Sequence, residues 1–172
     1  MRFLDSEHWK AFVDAMTRYE VSPRNTSTGV LLYLLTATYD CRCRIGDIIT
    51  CEYGDVEIKD DAIQHTWVTS GDARVIRLAF NLFDGGTPTA TTRNRKNTKE
   101  TEKYLPFYIF CGLDESLREV ALEALRMRFS YQPLTNYEPV YIRDQHNRDC
   151  ESYDEFEVLE GILDGQEEEG WT

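Results

Sequence analysis

The sequence predicts an α+β, predominantly helical fold: a compact helical domain with a small β-hairpin and an acidic C-terminal helix. Three observations predict it. Apolar residues recur at helical spacing along most of the chain, one stretch alone reads as a hairpin, and negative charge gathers towards the C-terminal end. With 172 residues, 41% of them hydrophobic and 12% aromatic, the chain holds enough apolar material for one core. That composition differs from disordered and collagen-like chains. The expected division is a mostly helical globular domain over residues 1–143, with an exposed basic loop at 87–103, and an acidic extension over residues 144–172 packed on it.

The elements follow in order. Leu4-Asp5-Ser6 is a helix start in which Asp5 can cap and Leu4 can staple onto Trp9, after which Trp9, Phe12, Val13, Met16 and Tyr19 recur on one face. Pro23 and the polar run Arg24-Asn25-Thr26-Ser27 interrupt that pattern. Val30, Leu31, Leu32, Leu34 and Leu35 then make a helix apolar nearly all round, which belongs at the centre of the core. Over residues 45–63, the segments Ile48-Ile49-Thr50-Cys51-Glu52-Tyr53 and Val56-Glu57-Ile58 fit a hairpin as well as short helical turns, and the hairpin is favoured.

Ser70-Gly71-Asp72 opens another helix, with Val75, Ile76, Leu78, Ala79, Leu82 and Phe83 apolar, and Gly85-Gly86 stops it. The stretch 87–101 is rich in Thr and Asn and carries Arg93, Arg95, Lys96 and Lys99 without apolar periodicity. It reads as an exposed, solvated loop. The aromatic run over residues 104–110 is consistent with a short buried strand, after which Asp114 caps a helix bearing Leu117, Val120, Ala121, Ala124 and Leu125. Pro133 and Pro139 punctuate the next segment. Finally Ser152-x-x-Glu155 makes a capping box, and Phe156, Leu159 and Leu163, with Ile162 alongside, give the last helix a sticky underside.

The formal net charge is -12, and residues 144–172 hold eleven acids against the single base Arg148, so that segment carries -10 of it. Such a field repels nucleic acid and acidic membrane surfaces and attracts basic protein surfaces. Neither direct nucleic-acid binding nor membrane association is expected. The longest apolar run, residues 30–35, is far shorter than the roughly 20 residues that span a bilayer, and Met1-Arg2-Phe3-Leu4-Asp5 lacks the hydrophobic region of a signal peptide. A cytoplasmic location follows as the expectation. Five cysteines, Cys41, Cys43, Cys51, Cys111 and Cys150, are an odd number and read as reduced thiols.

Candidate chemistry is sparse. Cys41, Cys43, Cys51 and His65 offer four zinc-ligand types, but the single residue between Cys41 and Cys43 is not the usual ligand spacing, so plain thiols are the stronger reading. His8 has no evident catalytic partner, Cys111 has no paired histidine, and Asp47 with Asp60-Asp61 matches neither an EF-hand nor a two-metal centre. An enzyme is not expected, and no cofactor is assigned.

At Trp67-x-Thr69-Ser70-x-x-x-Arg74-Val75-x-Arg77-Leu78-Ala79-Phe80-Asn81-Leu82-Phe83-Asp84-Gly85 the chain resembles a family of uncharacterised, domain-of-unknown-function bacterial proteins found in phage-derived and other mobile elements. Phe3-Leu4-x-x-x-His8-x-x-x-Phe12, Leu32-Tyr33-Leu34-Leu35-Thr36 and Arg126-x-Arg128-Phe129 are similar to its other landmarks. The resemblance implies no activity, but it favours counter-defence or regulatory roles. Its typical members end soon after the position of Tyr131, so the acidic extension and the long loop are departures. Trp67, Arg74, Arg77 and Asn81 are its residues that packing explains least; a salt-bridged face covering the tryptophan is favoured over a ligand pocket.

These readings converge on an acidic protein-binding module of a mobile element. Its expected partner is a basic, nucleic-acid-handling host defence protein such as a CRISPR effector, inhibited in an anti-CRISPR-like way. Helical carboxylates three to four residues apart stand about 5 Å apart along the axis, near the roughly 3.4 Å axial phosphate spacing of one DNA strand. Asp154, Glu155, Glu157, Glu160, Asp164, Glu167, Glu168 and Glu169 are the expected DNA-mimicking, partner-binding residues. A small zinc-stabilised regulatory protein and an enzyme of unrecognised type are the alternatives, and no oligomeric state is assigned.

Overall fold

Helix α2 (Thr26–Leu35) forms the centre, as its all-round apolarity requires: residues 28–35 are all buried, and α2 packs against α1 (Ser6–Arg18), α5 (Ser70–Asp84) and α7 (Glu115–Phe129). The computed structural model describes residues 1–52, 55–85, 106–130, 133–134 and 139–143; the basic loop 87–103 and the acidic segment 144–172 lie outside them. Within the described residues the fold is helical with minor β structure, the α+β class that the sequence predicts.

The Asp5 carboxylate caps α1 by accepting from the His8 backbone N–H at 2.8 Å. The helix ends in a Schellman turn: Val21 N–H donates to Met16 O at 2.9 Å and Glu20 N–H to Thr17 O at 3.2 Å. Glu20 takes the left-handed position at φ +52. The buried face is rotated from the predicted one. His8, Phe12 and Ala15 are buried, whereas Val13 is 43% exposed. The reason is His8, whose two ring nitrogens both meet backbone groups and so can leave water without an unsatisfied atom.

The predicted hairpin is present, with β2 (Ile49–Glu52) antiparallel to β3 (Asp55–Ile58) in the register Ile49↔Ile58 to Glu52↔Asp55. Two short helices, α3 (Tyr39–Cys43) and α4 (Ile45–Ile48), lead into it from α2. Helix α5 opens with a reciprocal capping box between Thr69 and Asp72 and stops at Gly85, whose φ of +80 is easy only for glycine. Asp114 caps α7 by accepting from Leu117 N–H at 2.7 Å, and Val120, Ala121, Ala124 and Met127 form its buried face.

Two features depart from expectation. Residues 106–110 of the aromatic run are not a strand: α6 (Pro106–Cys111) is a helix packed on α5, with only Ile109 buried and Phe107 81% exposed, while residues 104–105 lie outside the described residues. Proline at the first helical position explains the choice, since its fixed φ suits a helix start and the N–H it lacks has no intrahelical partner there. The second departure is a parallel pair in which β1 (Arg2–Phe3) meets β4 (Val140–Tyr141), reinforced by Val140 N–H to Met1 O at 3.1 Å and Arg143 N–H to Leu4 O at 3.2 Å. It fastens the far end of the described body to its beginning. No helix among the described residues is long and apolar enough to cross a membrane.

Candidate functional site

The turn between β3 and α5 carries the most unusual side-chain cluster. The rings of His65 and Trp67 stack with centroids 5.9 Å apart and planes 14° from parallel, and the Arg44 guanidinium lies 5.4 Å from the Trp67 centroid. His65 Nε2 stands 3.2 Å from Asp47 O, which ties the stack to α4. The indole Nε1 of Trp67 is buried without a hydrogen-bond partner among the described residues. Arg44 is absent from the sequence-based set because nothing in the spacing links it to a tryptophan 23 positions later.

Arg74 of α5 serves another purpose. It packs on α6: its Nε donates to Tyr108 O at 3.3 Å, its Nη1 to Ser70 O at 3.0 Å, and its Cζ lies 4.9 Å from the Tyr108 ring. It thus supports a carbonyl in the last turn of α6. Gly112 makes this possible, because a Cβ there would lie 2.1 Å from Arg74 Cζ. Arg77 is buried at 8% exposure, and Asn81 is exposed. Of the four residues grouped by sequence, none of the other three is the cation over Trp67; that place belongs to Arg44. Tyr108 and Gly112 were missed as members of the Arg74 cluster, although a glycine two residues after an aromatic run is the kind of signal that marks close backbone approach.

The thiols and imidazoles are dispersed. Burial pushes the Cys41 thiol up to about 12, and its Sγ donates to Asp72 Oδ1 at 3.7 Å, joining α3 to the cap of α5. Cys43 is exposed, Cys51 half-buried on β2, and His65 is in the Trp67 stack. No three His, Cys, Asp or Glu side chains among the described residues converge as metal ligands. The four cysteines among them are free thiols, while Cys150 lies outside. His8 is fully buried, with Leu4 N–H donating to its Nδ1 at 3.0 Å and its Nε2 donating to Tyr33 O at 2.8 Å. Burial lowers its pKa to about 4, outweighing the opposing pull of the Tyr33 carbonyl and Asp5.

Several surface charges of the described body are paired. Arg2 pairs with Glu119, Lys10 with Glu7 at 2.9 Å, Arg18 with Asp14 at 2.7 Å, and Arg143 with Asp5 at 2.8 Å. A groove of about 400 Å³ opens beside the end of α1, lined by Phe12, Val13, Met16, Val21, Pro23 and Leu134, with Glu20 and Thr17 also on its wall. The expected partner-binding acids, Asp154 through Glu169, lie outside the described residues.

No curated protein and no solved structure matches the chain. The family comparison is positive and spans the body from β1 into the first residue of β4, leaving the acidic segment beyond it. Residues 1–140 match a family of unknown function, DUF6075, and the chain belongs to that family.

Proposed function

We propose that the protein is an acidic protein-binding module, originating in a phage-derived or other mobile element, that engages a basic nucleic-acid-handling host defence protein and obstructs it in the manner of an anti-CRISPR inhibitor. One observation carries the reading: -10 of the net -12 lies in residues 144–172, attached to a body whose own charges nearly cancel. A field so concentrated steers towards a cationic groove and weakens steeply with salt. The carboxylates Asp154, Glu157, Glu160 and Asp164, at helical spacing, present charge at intervals close to those of a nucleic-acid backbone. The body's part is to hold that segment. Arg143, bonded through its amide to Leu4 and through its guanidinium to Asp5, sets the point from which the segment departs.

The test is capture of nucleic-acid-binding proteins from a host lysate, with elution by graded salt and by duplex DNA. The parent chain should retain a basic partner that DNA displaces. Reversing Asp154, Glu157, Glu160 and Asp164 to lysine should abolish retention while leaving thermal stability nearly unchanged. Equal retention by the reversed chain would remove the DNA-mimic reading.

A further inference from the structure

Helix α1 has three sides, and the core takes one of them. At about 100° per residue, the buried His8, Phe12 and Ala15 share one side, and the exposed Glu7, Lys10, Asp14 and Arg18 share another. The third side holds Trp9, Val13, Met16 and Thr17 and none of the helix's charged residues. The fold leaves it open: Val13 is exposed, and Val13, Met16 and Thr17 face the groove that Pro23 and Leu134 also line. Thr17 can be covered without loss, since its Oγ1 already donates to Val13 O at 2.8 Å. An uncharged helix side beside an apolar groove marks a place of association.

This surface is complementary to itself. A two-fold contact requires one patch to supply both projection and recess, and here the exposed Val13 stands at the rim of the groove that Met16 and Leu134 line. If two copies of α1 lie antiparallel about a two-fold axis at the level of Ala15, residues equally far before and after that level face one another. Val13 then meets Thr17 of the second copy, and Lys10 meets its Glu20. Glu20 is the one charged side chain among the described residues lining the groove, and Lys10 is the cation next to the uncharged side. The bond that Lys10 makes to Glu7 joins two exposed side chains and is readily exchanged. Apolar contact and ion pairs thus share one axis. The -12 of each chain opposes association at long range, but physiological salt screens that repulsion beyond about 8 Å. With 13 residues α1 is about 20 Å long, so the contact belongs to the small class of interfaces below about 1,200 Å² in total, which form weak complexes.

We propose that the protein forms a weak two-fold dimer through this side of α1, with the two helices antiparallel, Val13 seated in the groove of the second copy and Lys10 paired to the second copy's Glu20. The contact uses no residue of the acidic segment, so it stands independently of the functional reading above.

Sedimentation equilibrium of the full chain between about 5 and 500 µM, in about 0.15 M salt, tests it. The parent should pass from monomer towards dimer over that range. V13E should raise the dissociation constant at least about tenfold, and K10E and E20K should each weaken the dimer by setting like charges opposite one another. An equimolar mixture of the K10E and E20K chains should associate at least as well as the parent, because opposite charges then meet at both ends of the contact. Circular dichroism reports whether each variant is folded; should V13E unfold the body, the mixture decides alone. A parent that stays monomeric throughout leaves the groove to another occupant and overturns the proposal. A dimer indifferent to V13E, or a mixture no tighter than its two components, overturns it as well.

Discussion

His8 shows how much one side chain can commit. Leu4 N–H donates to Nδ1 and Nε2 donates to Tyr33 O, so the ring is held as the neutral Nε2–H tautomer and a second proton has no acceptor. An unfolded histidine takes up its proton near pH 6.5, whereas this one resists until about 4. Its contribution is therefore complete above pH 6.5 and is lost as pH falls towards 4, because the unfolded state gains the proton first. The loss over that window should be roughly 3 kcal/mol, at about 1.4 kcal/mol for each decade of proton affinity. Urea unfolding at pH 7, 5.5 and 4.5 measures it, and His8→Gln should flatten the slope between 6.5 and 5. A slope unchanged in that variant would assign the acid loss to other groups. The sequence shows a histidine on a helix, but the two backbone groups that bury it come from positions 4 and 33, and no local pattern reports them.

At the scale of elements, legibility followed locality. Asp5, Thr69 with Asp72, and Asp114 cap their helices within three residues, so helix starts could be read directly. Helix α6 could not, because a run rich in aromatic residues satisfies strand propensity, while its packing onto α5 involves Arg74, thirty-four positions earlier than Tyr108. Trp67 was legible as unusual, but its neighbours His65 and Arg44 come together only after α4 and the hairpin have folded. The Arg74 seat gives a test. Gly112→Ala would place a methyl 2.1 Å from Arg74 Cζ, forcing either the guanidinium off Tyr108 or the turn before α7 outwards. A cost below about 1 kcal/mol is expected, because the guanidinium is the far end of a flexible side chain and can swing aside. Because the clash needs both partners, R74A/G112A should cost clearly less than the sum of the two single changes in a thermal double-mutant cycle. Strict additivity would show that the two sites do not touch.

For the whole molecule, the central α2 binds its neighbours through contacts spread over the fold, whereas the β1–β4 pair joins Arg2 to Val140, 138 positions apart. Closing so long a loop is entropically unfavourable and should come after the helical core has formed. Val140→Pro removes the N–H that bonds Met1 O at 3.1 Å. Losing that bond, at about 1 kcal/mol, should raise the unfolding rate about fivefold and leave the folding rate unaltered. Stopped-flow kinetics separate the two limbs, and a slowed folding limb would place the pair in the nucleus instead. The same geometry bears on synthesis. A chain made from its N-terminus presents the β1 edge unpaired until Val140 and Tyr141 have been added, and the next residues to emerge are those of the acidic segment. Because only 32 residues follow Val140, the β4 strand is among the last parts of the chain to become available, and the β1 edge waits for it through nearly all of synthesis.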